Sequence, residues 1–257
     1  MTYRLAASAE MIFLELPFVD RVRAIHERGF EVEIWDWTKK DLHELAATGA
    51  TFGSMTGYIE GDLLENDGIE RFLATAEESI EASKIINCPR LNVHGTGLDG
   101  NGQAIRKKFA TTEADWAKAT ETLTRLAELG AKHDKVFMLE NLNLLVDHPG
   151  TPFGLAKETL KLVSTINHPN LRLNLDLYHA QIGEGNLTSL VRECFDYIGE
   201  IQVADVPGRY EPGTGEINYK RVARELKALE YNGVVGLEGW AIGDSVKALE
   251  AFAEAFA

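Results

Sequence analysis

The chain has 257 residues, 45% of them apolar, and a formal net charge of −14. That length and apolar fraction suit one globular α/β domain with a large core, and the acidic balance argues against nucleic acid as a ligand, because phosphate-backbone binding rests on clustered Lys and Arg. Cys88 and Cys194 are the only cysteines, and Met1–Glu10 has no basic region leading into an apolar stretch. With no window near the ~20 apolar residues of a membrane span, the expectation is a cytoplasmic protein with reduced thiols, no leader and no membrane partner.

In chain order, strand-like segments are expected at Arg4–Ala7, Glu31–Trp35, Thr51–Met55, Arg90–Val93, Val136–Glu140, Leu171–Asp176, Glu200–Ala204 and Val234–Glu238. Runs such as Val136–Leu139 read as strands buried on both faces of a parallel sheet. Amphipathic segments lie between them. Asp20–Arg28 places Val22 and Ile25 on one side and is followed by Gly29, a C-terminal capping residue. Ile69–Ile86 spaces Phe72, Ala76, Ile80 and Ile85 for one buried face, and Glu113–Leu129 does the same with Trp116, Ala119, Leu123 and Leu126. Leu187–Phe195 follows Asn186, a favourable N-cap, and Tyr219–Leu229 and Asp244–Phe256 complete the set.

Eightfold strand–helix alternation predicts an α/β fold, a single-domain (β/α)8 TIM barrel over residues 1–257. An open doubly wound sheet is the rival, but the G-x-G-x-x-G signature is absent after the first strand. Two connections exceed what a barrel needs, His94–Thr112 after the fourth strand and Asp205–Asn218 after the seventh. Both fall on the C-terminal side of their strands, where barrel enzymes build their sites.

Four strands end in oxygen-bearing side chains: Glu140, Asp176, Gln202 and Glu238. An all-oxygen set suits one hard divalent cation, Mg2+ or Mn2+, rather than zinc. The alternative for each carboxylate is a helix cap or an ion pair at the barrel rim. His179, three residues after Asp176, would face the same mouth and contact a substrate oxygen or orient a carboxylate, and His94 is a weaker candidate of the same kind. Arg209, in a Gly/Pro-rich loop, would clamp a substrate carboxylate by two-point bonding, the alternative being a pair with Glu211 or Glu216. Trp35, Trp37 and Trp240 lie near strand ends two and eight and would wall a small pocket, ordinary packing being the rival reading. With such a cation an α-hydroxy carbonyl compound could lose its α-proton to one carboxylate through an enediolate and regain one from another.

The stretches FLELPFVDR, VEIWDW, LDLYHAQIGEGNL, ADVPGRYEPGTGEINY and GLEGW, spanning Ala6 to Trp240, resemble the hydroxypyruvate isomerase family of xylose-isomerase-like TIM barrels, cousins of the ketose 3-epimerases. The resemblance implies that Glu140 and Glu238 are an acid–base pair. It also implies Glu140, Asp176, Gln202 and Glu238 as metal ligands, and His179 and Arg209 as substrate contacts. Gln202 stands where the epimerases place a histidine, which favours the isomerase branch; Gly239-Trp240 stand where Glu-Tyr would be expected. The implied activity is metal-dependent isomerisation of a small hydroxy-oxo acid or sugar, hydroxypyruvate to tartronate semialdehyde first. A ketose 3-epimerase, a lyase eliminating a group beta to a ketone on an oxidised glycoside, and a non-catalytic sugar-binding barrel follow in that order. A repair endonuclease on a related barrel is disfavoured for want of a basic groove. Barrels of this group assemble through their outer helices, so a homo-oligomer is an option, though no interface is legible.

Overall fold

A computed structural model describes residues 3–257; Met1 and Thr2, the first residues of the stretch read for a leader, lie outside them. Eight parallel strands close on themselves in sequence order. They are β1 (Arg4–Ser8), β2 (Glu31–Ile34), β3 (Phe52–Thr56), β4 (Arg90–Val93), β5 (Val136–Glu140), β6 (Leu171–Asp176), β7 (Ile198–Val203) and β8 (Val234–Leu237). β1 pairs with both β2 and β8, which excludes the open sheet. No helix among the described residues is long and apolar enough to cross a membrane.

The outer ring comprises α1 (Phe18–His26), α2 (Leu42–Ala46), α3 (Asn66–Ile85), α4 (Glu113–Lys132), α5 (Ala156–Ile166), α6 (Leu177–Gly183), α7 (Leu187–Cys194), α8 (Tyr219–Ala228) and α9 (Ser245–Phe256). α4 shows how local chemistry sets an element. Thr112 and Asp115 form a reciprocal capping box at its start, and Ala119, Leu123, Leu126 and Ala127 make the face buried on the sheet. Burying one such leucine is worth roughly 1.5–3 kcal/mol. α2, α5 and α6 were not among the expected helices. α2 and α6 are too short to show a period, and the buried face of α5 includes Ala156 and Thr159 beside Leu162 and Val163. Asn186 occupies the position before α7 in a left-handed conformation and makes no side-chain cap, contrary to expectation.

Val136–Leu139 in β5 is apolar on both faces and buried from Phe137 onward, as expected, but several other strands are not apolar on both faces. Val32, Ile34, Leu91, Val93, Phe137, Leu139, Leu173, Leu175, Ile201, Val203, Val235 and Leu237 join the core between sheet and helices. Alternate positions carry Glu33, Ser54, Asn174, Glu200 and Gln202, all buried, and hydrogen bonds join them across strands that are not neighbours. The barrel interior is therefore a polar network rather than packed branched side chains. Gly236, at an inward position of β8, makes room for it: a Cβ there would lie 1.8 Å from Glu33 Oε1.

Candidate active site

The C-terminal ends of β4 to β8 place the expected residues around one mouth. Glu140 ends β5 and is buried. Its Oε2 accepts hydrogen bonds from Asn92, on β4, and at 3.0 Å from His94 Nε2. His94 is held from its other nitrogen by the Tyr58 hydroxyl, 3.2 Å away. Burial alone would raise the Glu140 carboxyl, but the bonds from His94 and Asn92 and the nearby Arg209 charge outweigh it and hold the group below the ordinary carboxylate range.

Asp176 fills one of the roles weighed for it, that of a helix cap. Its Oδ1 caps α6 by accepting the His179 backbone N–H at 2.8 Å. Its Oδ2 is buried without a partner among the described residues. Burial and the Glu140 charge push this carboxyl well above the usual range. His179 is fully buried, and its Nε2, also unpartnered, lies 3.9 Å from Asp176 Oδ2 and 4.0 Å from Glu140 Oε1. Burial and the Arg209 charge keep this imidazole neutral, its pKa well below the ordinary value.

Glu238 follows β8, its N–H still on the ladder to Val203. Trp35 Nε1 donates to its Oε1 at 2.7 Å, and Arg209 Nη2 to its Oε2 at 2.5 Å. Burial raises its pKa, against the pull of Arg209, and with Glu140 close by it reaches about 7. Arg209 thus pairs with Glu238 and with neither Glu211 nor Glu216. Its Cζ lies 5.2 Å over the Tyr178 ring, and its Nη1 makes no hydrogen bond to protein among the described residues. Asp205 shapes the loop that carries Arg209, its carboxylate accepting the N–H groups of Val206, Gly213 and Ile217. Gly239 lets that loop close in, since a Cβ there would sit 3.1 Å from the carbonyl oxygens of Arg209 and Tyr210.

Gln202 faces the interior one step below the mouth. Its Oε1 accepts from Asn174 Nδ2 at 2.7 Å and its Nε2 donates to Glu33 Oε2 at 3.0 Å. Of the three tryptophans, Trp35 reaches the site through Glu238, whereas Trp37 donates its N–H to Ser79 on α3 and packs against the outer core.

The site also holds residues the sequence reading did not single out. Asn92 fixes Glu140, Asn174 fixes Gln202, and Asn143 and His148 lie beside His179. Asn92 and Asn174 were legible as polar alternates in RLNV and LRLNLD, and Asn143 closes the same VFMLENLN stretch that contains Glu140.

The donor set fits a divalent cation. Atoms of Glu140, Asp176 and His179 lie within 4.8 Å of one another, so the two carboxylates by themselves already bring oxygens to one point. The unpartnered Asp176 Oδ2 would be costly to bury with nothing to bind. Gln202 Oε1 keeps a second lone pair beyond the Asn174 bond.

A family model described as "Xylose isomerase-like TIM barrel" matches residues 3–256. A 2-oxo-tetronate isomerase from Pectobacterium atrosepticum is 32% identical over 247 residues, 91% of this chain and 91% of that protein. A hydroxypyruvate isomerase from Escherichia coli is 30% identical over 247 residues, 91% of this chain and 92% of its own length. Among solved structures, one described as an AP endonuclease, family 2, from Brucella melitensis superposes with a TM-score of 0.86 at 27% identity, covering 98% of both chains.

Proposed function

The chain belongs to the xylose isomerase-like TIM barrel family, and from that premise we propose that it is a divalent-metal-dependent isomerase of a small hydroxy-oxo acid, acting through an enediolate. Relatives named for isomerases of 2-oxo-tetronate and hydroxypyruvate support an acid substrate. The observation that carries the reading is the pair Glu140 and Glu238, held in opposed electrostatic environments beside the unpartnered Asp176 Oδ2 and His179 Nε2.

Glu140, Asp176, Gln202 and Glu238 would hold the cation. When bound it supplies positive charge next to the substrate's two oxygens, which acidifies the α-carbon. Glu140, kept ionised by His94 and Asn92, takes the proton from the hydroxyl-bearing carbon. The electron pair left behind forms the enediolate, and His179 would donate a hydrogen bond to an oxygen that gains charge. Glu238, the more easily protonated carboxyl, returns a proton to the neighbouring carbon. The hydroxyl proton passes to the former carbonyl oxygen, so carbonyl and hydroxyl exchange places with no net gain or loss of atoms. Arg209 holds Glu238 from one side and keeps Nη1 for a substrate carboxylate. Nuclease chemistry, as named for the Brucella protein, finds no support at this mouth, where Arg209 is already bonded to Glu238 and the neighbouring groups are carboxylates.

The test is NMR in D2O with Mg2+, offering hydroxypyruvate, 2-oxo-tetronate and neutral ketoses in parallel. Deuterium should enter next to the carbonyl of an acid substrate, together with isomer formation. Exchange confined to the neutral ketoses, with inversion at the third carbon, would move the assignment to a 3-epimerase. No exchange with any of them would remove the enediolate reading.

A further inference from the structure

Asn143 uses every hydrogen-bonding position it has. Its Oδ1 accepts the backbone N–H groups of Val146 at 3.0 Å and Asp147 at 2.9 Å. Those two contacts identify the oxygen end of the amide, because a reversed amide would turn N–H against N–H. The Nδ2 end then spends one hydrogen on Asp147 Oδ2 at 2.6 Å and directs the other to His179 Nδ1 at 2.8 Å. Asp147 Oδ2 is fixed in turn by the Tyr178 hydroxyl at 2.9 Å. A neutral imidazole that accepts at Nδ1 carries its proton on Nε2.

Nε2 is the nitrogen aimed at Glu140 and Asp176. By distance alone His179 belongs to both clusters that would admit a metal, Glu140–Asp176–His179 and Asp147–His148–His179. With Nδ1 occupied by an N–H donor and Nε2 bearing a hydrogen, neither nitrogen has a lone pair to offer a cation. We propose that Asn143 is a positioning residue that locks His179 as an Nε2–H donor, reserving it for a substrate oxygen and keeping it out of the metal's ligand set. The cation then meets only oxygen ligands, the set that suits Mg2+ or Mn2+; a free imidazole would draw Zn2+ into the same place. The proposal rests on the isomerase reading for the cation and for the oxygen that receives the hydrogen bond, but not for the tautomer.

The tautomer is read directly from two-bond 1H–15N correlations of histidine-labelled protein, metal-free and without substrate, with the His179 ring assigned by its loss in His179→Gln. The wild type should show the Nε2–H pattern; an Nδ1–H pattern overturns the proposal, whatever the enzyme's activity. The exchange variant Asn143→Asp/Asp147→Asn keeps the charge and an acceptor for the Val146 and Asp147 N–H groups while reversing the bond to His179. It should invert the His179 pattern and raise the preference for Zn2+ over Mn2+ by about 10- to 100-fold, the usual reach of a residue that orients a ligand. An unchanged tautomer or an unchanged metal preference in the folded variant overturns it. Loss of isomerase activity with an intact wild-type Nε2–H pattern would count against the reaction and leave the tautomer lock standing.

Discussion

Arg90 and Glu200, inside the barrel below the mouth, and Asp176 and His179, at the mouth itself, are all withdrawn from water, yet their hydrogen bonding differs. Arg90 donates to Glu200 Oε2 at 2.6 Å and to Glu31 Oε2 at 3.3 Å, and Ser54 donates to Glu200 Oε1 at 2.9 Å. Both Glu200 oxygens are answered. Asp176 Oδ2 and His179 Nε2 have no partner among the described residues. A buried charge is tolerated when its partners are present and costs several kcal/mol when they are absent. The lower cluster therefore belongs to the fold, whereas the upper one keeps bonding capacity that the described residues do not use. Glu33 and Gln202 join the two levels, with Asn174 and Asn92 carrying the chain of amides on to Glu140.

This contrast can be broken from either end. The largest effect should come from below. Arg90→Leu leaves Glu200 buried without its cation and should cost about 3–5 kcal/mol of stability, read as a lowered urea midpoint, while kcat per folded molecule stays close to wild type. A strong kcat loss in folded Arg90→Leu would mean that the chain through Glu33 and Gln202 carries the change up to the mouth.

At the mouth the order of effects should reverse. Glu140→Gln and Glu238→Gln should each lower kcat by at least ~100-fold with little change in the urea midpoint. The two losses should not add, because both carboxyls act on one intermediate. Near wild-type turnover in either variant would contradict the two-glutamate mechanism.

A smaller effect sharpens the comparison through pH. In the metal-free protein Asp176, which would be a ligand with no part in proton transfer, lies well above the ordinary carboxylate range. A cation binds its ionised form, so that proton must leave as it enters. The sign follows: affinity for Mn2+ should rise with pH, weakening on acidification by about tenfold per pH unit while this one proton is displaced. Calorimetric titration in buffers of different ionisation enthalpy counts the proton released. Binding that is flat between about pH 5.5 and 7 would show that Asp176 is already ionised before the metal arrives.

Strand–helix alternation, the eight strands in their order and the oxygen-bearing residues at the strand ends were legible because each is a local property. Periodicity of two or 3.6 residues is written along a single element, and in a parallel barrel every strand delivers its last side chain to the same rim. The amphipathic faces of α1, α3 and α4 were readable for the same reason. The polar interior was half visible, in the alternation of RLNV and LRLNLD, but the all-apolar run Val136–Leu139 set the expectation of a sheet buried on both faces. Which side chains meet was decided by the closed barrel alone. Trp35 finds Glu238 across 203 positions and Asn92 finds Glu140 across 48. Arg209 turns to Glu238 rather than to the nearer Glu211 or Glu216. Asn143 meets His179 only because β5 and β6 run side by side and the loop after β5 lies against α6, which follows β6 directly. Residue type sets what a side chain can donate or accept, but the partner, and with it the proton's position on an imidazole or the ionisation of a carboxyl, depends on distances that exist only once the sheet has closed.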